Sequence, residues 1–167
     1  NTSSGNAGRG VYGLYATHII SNNTIERNGG GVKVGQGGSY TITGNTIADN
    51  TASDGAGVET LEAWSPSVVV ADNLINGNTC TDSGCAVVTV FEPESGDPEF
   101  RLTGNDLAGN SASYIVRSER SVARSIIDAT DNDWGTTDCD TIDALIYDFF
   151  DSSALTIVNY GDDACDD

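Results

Sequence analysis

Glu59, Glu62, Glu92, Glu94, Asp97 and Glu99 gather six carboxylates in one part of the chain, and Arg117, Arg120 and Arg124 follow them. Clustered carboxylates are what a glycoside hydrolase needs. One donates a proton, and the other acts as base or nucleophile at a separation that decides inversion or retention. A lyase acting on an acidic polysaccharide would instead need acidic calcium ligands beside an Arg or Lys base. The acids here sit in segments containing Pro and Gly, not at paired strand positions. That favours a binding surface made by Glu62, Trp64, Glu92, Asp97, Arg117 and Arg120 over a catalytic centre. Trp64 is the aromatic of this set. Such a ring binds a sugar face or anchors a protein partner, or else it folds back on its own loop.

Other chemistry is thinner. His18 is the single histidine, so no second imidazole exists for a metal or a relay. Asp131-Asn132-Asp133 and the tail Asp162, Asp163, Asp166 and Asp167 could attract calcium, the one cofactor the acidity suits. Neither fits an EF-hand loop, which needs Gly at its sixth position and Glu at its twelfth. No cofactor and no metal ligand are expected.

What must position these residues is a repeat. Ile42-Thr43-Gly44-Asn45-Thr46-Ile47-Ala48-Asp49-Asn50 reads apolar-x-x-Asn-x-apolar-x-x-Asn. Ile20, Asn23, Ile25 and Asn28 repeat it, as do Val70, Asn73, Ile75 and Asn78, then Leu102, Asn105, Leu107 and Asn110. A degraded copy runs Ala129, Asn132, Trp134 and Thr137. Periods of about 20 to 50 residues indicate solenoids, propellers or arrays. A small residue followed by a β-branched one recurs with the copies: Gly10-Val11, Gly31-Val32, Gly57-Val58, Ala86-Val87 and Tyr114-Ile115.

Each unit is long enough for one coil, whereas a propeller blade needs several antiparallel strands. A short strand cannot bury its inner face alone but can when stacked on a like strand. Asn at a corner can hydrogen-bond up and down the stack and tolerates the left-handed backbone that tight corners need. These features predict an all-β, right-handed parallel β-helix of five to six coils, with coils over 1–133 and a cap over 134–167. Val11, Val32, Val58, Val87 and Ile115 are expected in one parallel register. Asn23, Asn45, Asn73 and Asn105 are expected in one ladder. Insertions at 61–67, 91–100 and 118–125 fall at one corner, so they should stack into a ridge.

Composition bounds the partners. A formal charge of −18 argues against nucleic acid, whose phosphates demand a basic face, and against anionic membrane surfaces. No apolar stretch approaches the length of a membrane span. Four cysteines without a CxxC pair point to two disulfides and an oxidising compartment. Cys80 and Cys85 would pin the insertion 81–84, and Cys139 and Cys165 would staple the cap. Asp138 or Asp140 would cap a helix over 140–150, and 155–160 reads as a further strand. The sequon Asn22-Asn23-Thr24 overlaps the corner Asn and is discounted as packed.

The residues Asn132-x-Trp134-Gly135, Ile142, Ile146-x-Asp148 and Asp151, ending in Val158-x-Tyr160, resemble the C-terminal end of bacterial exported right-handed β-helix proteins of the pectin-lyase-like superfamily. The repeats resemble the same group. The resemblance implies the fold and a place outside the cell, secreted or on the surface. That superfamily holds polysaccharide lyases, glycoside hydrolases and adhesins, and no catalytic residue is carried over. The expectation is therefore a binding or structural module for a polysaccharide or protein partner. The alternatives are a carbohydrate-active enzyme using the ridge carboxylates and a stacking segment of a surface fibre. Nine polar residues lead straight into Val11, so the first coil is expected to lie open and to self-associate, or to continue a longer β-helix.

Overall fold

The computed structural model describes residues 1–61, 67–121, 123–161 and 164–165. Three parallel sheets run the length of the stack. The first holds Thr2–Ser4, Thr24–Glu26, Thr46–Ala48 and Leu74–Asn76. Bridges from Leu74 to Asp106 and from Asp106 to Asp133 carry it onward. The second holds Val11–Leu14, Val32–Gly35, Val58–Thr60, Ala86–Val90, Tyr114–Ser118 and Ile146–Tyr147. The third holds His18–Ser21, Ser39–Thr43, Ser67–Ala71, Phe100–Thr103, Ile127–Asp128 and Val158–Asn159. The chain visits the three sheets in turn, and each strand pairs with its counterpart one coil away. This is the predicted parallel β-helix.

The register follows the apolar pattern. Ile25, Ile47 and Ile75 align in the first sheet, and Ile20, Ile42, Val70 and Leu102 align in the third. All seven are buried. Burying each such side chain is worth about 1.5–3 kcal/mol, which no coil obtains alone. In the second sheet the aligned column is Val11, Val32, Val58, Val88, Val116 and Ile146. The expected partners Val87 and Ile115 are thus one residue early. They occupy the corner position held by glycine in the earlier coils, where Gly57 donates its amide to Val87. A Cβ on Gly31 would lie 2.2 Å from the Gly57 carbonyl oxygen, so the compact coils admit only glycine there. The wider later coils accept Val and Ile.

Two asparagine ladders form the corners. In one, the amide nitrogens of Asn23, Asn45, Asn73 and Asn105 each donate to the Oδ1 of the next rung, at 2.9, 2.9, 3.0 and 2.8 Å, ending on Asn132. In the other, Asn6, Asn28, Asn50 and Asn78 do the same, ending on Asn110. Each of these eight also donates Nδ2 to that same oxygen. The left-handed backbone expected of the asparagines falls instead on the residue before each rung. Asn22, Gly44, Asp72, Gly104 and Asp131 have φ of 55, 63, 55, 67 and 60°. The rung itself keeps ordinary backbone and spends its side chain on the stack. Asn22, exposed, therefore precedes the rung, and the packed corner residue is Asn23.

The C-terminal segment completes a sixth coil. The helix is shorter than expected: α1 spans Cys139–Ala144, capped by Asp138 accepting from the Thr141 amide at 2.8 Å. Ile146–Tyr147 leaves the helical spacing to pair with Tyr114–Ser118, because that strand edge needs a partner more than the helix needs another turn. Trp134 is buried and meets Tyr160 edge-on at 6.3 Å. The Cys139–Cys165 disulfide ties α1 to the chain beyond the last strand. Cys80 and Cys85 are thiols, not the predicted bridge. Cys80 Sγ donates to the Ala86 carbonyl, which already pins the corner. Burial and the neighbouring Cys85 push the Cys80 thiol up to about 12.

Candidate binding ridge

The six residues expected on the ridge separate into three groups. Glu62 and Trp64 lie outside the described residues. Glu92, Asp97 and Arg120 come together where the second sheet turns toward the third. Arg117 does not join them.

The sequence Arg120-Ser121 recurs four residues on as Arg124-Ser125, and each pair reaches one coil back. Glu92 accepts from the Ser121 amide at 2.6 Å and from Arg124 Nε at 2.8 Å. Asp97 accepts from Arg120 Nη2 at 2.6 Å and from both the amide and the hydroxyl of Ser125. Arg120 is 2% exposed and also donates to the Pro98 carbonyl. Arg124 donates to the carbonyls of Pro93 and Gly96. One acid and one arginine thus clip each end of the 92–97 loop to the coil above.

Electrostatics follow from these contacts. Burial pushes the Glu92 carboxyl upward, but the Ser121 amide and the Arg124 guanidinium outweigh it and hold Glu92 below its ordinary value. The Ser125 hydroxyl and amide, with Arg120 beyond them, hold Asp97 low as well. Burial lowers Arg120 against the opposing pull of Asp97 and Glu92. Both acids therefore stand ionised and fully engaged at neutral pH. A glycosidase acid needs the opposite shift, a raised pKa that keeps its proton.

Arg117 points from the outward row of the second sheet, which runs Tyr12, Lys33, Glu59, Thr89, Arg117 and Tyr147. It pairs with Asp54 at 2.8 Å and Glu119 at 2.8 Å and donates to the Gly84 carbonyl at 2.7 Å. Asp54 also accepts from Thr89 Oγ1 at 2.7 Å. Glu59, 5% exposed, pairs with both Arg9 and Lys33. Arg9 donates further to the carbonyls of Asp54 and Gly55. These pairs seal the middle of the sheet beneath the 53–55 corner. Neither Arg9 nor Asp54 stands out in the sequence, since their partners lie one or two coils away and no spacing repeats. Ser121 and Ser125 were also missed, and the repeated Arg-Ser doublet is the one sequence signal that could have found them.

His18 stacks on Tyr40 with centroids 5.4 Å apart and faces the Leu14 carbonyl at 3.3 Å, a packing role at the first coil. Among the described residues no group of three or more His, Cys, Asp or Glu side chains is placed to hold a metal ion. Among the described residues no helix is long and apolar enough to cross a membrane.

A family model described as a right handed beta helix region matches residues 1–128. No curated protein and no solved structure gives a significant match.

Proposed function

The chain belongs to the right-handed β-helix family, and from that premise we propose a binding or structural module that works outside the cell and offers its ridge to a polysaccharide or protein partner. One observation carries this reading. Glu92 and Asp97, the two described acids of the expected six-residue surface, are committed to holding the 92–97 loop in place, which makes a rigid, pre-organised surface and leaves neither of these two as a proton donor. Rigid surfaces bind without an ordering penalty. The Cys139–Cys165 disulfide supports an oxidising, extracellular setting. The reading requires no cofactor.

The test pairs a glycan array with an assay for unsaturated or reducing sugar release. Glu94 and Glu99 are exposed on the ridge. Replacing both by Lys should abolish binding of an array hit while the melting temperature stays put. Trp64→Ala should weaken the same hit. A ligand unaffected by these changes and blocked at the Asn corners would overturn the proposal. Sugar release that Glu92→Gln abolishes would replace it with the enzyme reading.

A further inference from the structure

The charge of this molecule is polarised along its axis. Residues 1–48 carry Arg9, Arg27 and Lys33 against Glu26 alone, whereas no Lys or Arg follows Arg124 and twelve Asp do. Asp128 is paired with Arg101. Beyond it, none of the described Asp side chains has an ion-pair partner. A group of acids is not a site. The C-terminal end also carries a shaped groove, however. Two adjoining cavities of about 610 and 350 Å³ share Asp143, Phe150, Val158 and Tyr160 as walls. Phe150 is 80% exposed, with its ring edge-on to Phe149 at 5.6 Å. Asp143, held by the Tyr160 hydroxyl at 2.7 Å, and Asp151 place carboxylates on the same walls.

An open aromatic ring that shares its groove with carboxylates lacking an ion-pair partner selects a cation with a flat or apolar body. A guanidinium meets all three demands: it stacks on an aromatic face, forks onto carboxylates and is weakly hydrated. The geometry points to this groove as a docking site for an arginine-bearing segment of a protein partner. A neutral glycan would gain nothing from the field, and a bare divalent cation would leave Phe150 unused. None of the groove's walls belongs to the ridge insertions, so arginine docking here does not depend on the ridge binding anything.

The experiment uses the full chain and a fluorescein-labelled octapeptide of alternating Arg and Gly, with the Lys/Gly and Glu/Gly octapeptides as comparisons, followed by anisotropy in 0.15 M salt. The Arg peptide should bind more tightly than the Lys peptide, and the Glu peptide should not bind. Phe150→Ala, which changes no charge, should weaken the Arg peptide about fivefold or more. The D143N/D151N double variant should weaken it further. D106N/D133N removes the same charge from the first sheet and should leave it unchanged. Equal losses from both double variants, or none from Phe150→Ala, would reduce the effect to general attraction by an acidic protein and overturn the proposal. Amide chemical-shift mapping on the unaltered protein provides a readout free of folding defects. Shifts centred on Phe150, Asn159 and Gly161 support the groove, and shifts elsewhere refute it. Displacement of the peptide by calcium chloride at matched ionic strength would refute it too.

Discussion

Two corners of this molecule hold one coil to the next by opposite means. At the asparagine corners the linking groups are neutral, buried and repeated: Asn45, Asn73, Asn78 and Asn105 are all essentially inaccessible. At the ridge the links are ionic, partly hydrated and single. Asp97 keeps 38% of its side chain exposed, and Glu92 keeps 37%. An amide can be buried at every rung because its donors and acceptor are all satisfied. A buried charge carries a desolvation penalty that its partner must offset, so the ionic clips sit where water still reaches one member. The comparison teaches that the repeat carries the fold and the insertions carry what distinguishes one coil from another.

The sharpest way to break this contrast is Asn45→Ala. It removes the acceptor for the Asn23 amide and the donor to the Ile20 carbonyl. Urea unfolding should show a loss of about 1–3 kcal/mol. Next is Gly104→Ala, where φ is +67° and a Cβ would lie 2.7 Å from Asp72 Oδ1. The left-handed backbone alone makes this change cost about 1–2 kcal/mol. Arg120→Met should lower stability by only about 1 kcal/mol, because the released Asp97 can rehydrate and Met refills the buried space. A loss from Arg120→Met larger than that from Asn45→Ala would reverse the ranking of the two corners.

The smallest effect separates them by pH. Glu92 and Asp97 are held below their ordinary values, so the stability they contribute is complete above the unfolded pKa values of about 4.3 and 3.9. It is lost as pH falls through the lower folded values. Amide protection factors at Ser121 and Ser125 should drop as pH is taken from about 5 toward 3, while that of Asn45 holds. Equal loss at both corners would show that acid acts on the whole stack and not on the clips.

The sequence reveals what repeats. Rungs at Asn23, Asn45, Asn73, Asn105 and Asn132 are legible because every coil meets the same hydrogen-bonding demand at the same place. Glu92, Asp97 and Arg120 are legible as neighbours because their insertions stack. Arg117 is misleading, since alternation along Tyr114–Ser118 turns it to the outer face beside Thr89. The slip from Val87 to Val88 was hidden because the small-then-branched pattern continues while the wider coil moves the corner. The reach of Arg9 to Glu59 crosses two coils and leaves no trace in spacing. The helix after Asp138 stops short because strand pairing wins over apolar periodicity.

Both ladders run with a single polarity, each rung leaning on the next toward the C-terminus, and the ladder that starts at Asn23 does so at steps of 22, 28, 32 and 27 residues. Under tension this makes the molecule a spool. A force applied at the N-terminal end meets one coil at a time, because each coil touches only its neighbours. The thread should pay out in discrete lengths of about 75 to 110 Å, the extended span of one step, with the short Asn23-to-Asn45 turn giving the smallest release and the Asn73-to-Asn105 turn the largest. The disulfide-stapled end would be the last to leave the reel.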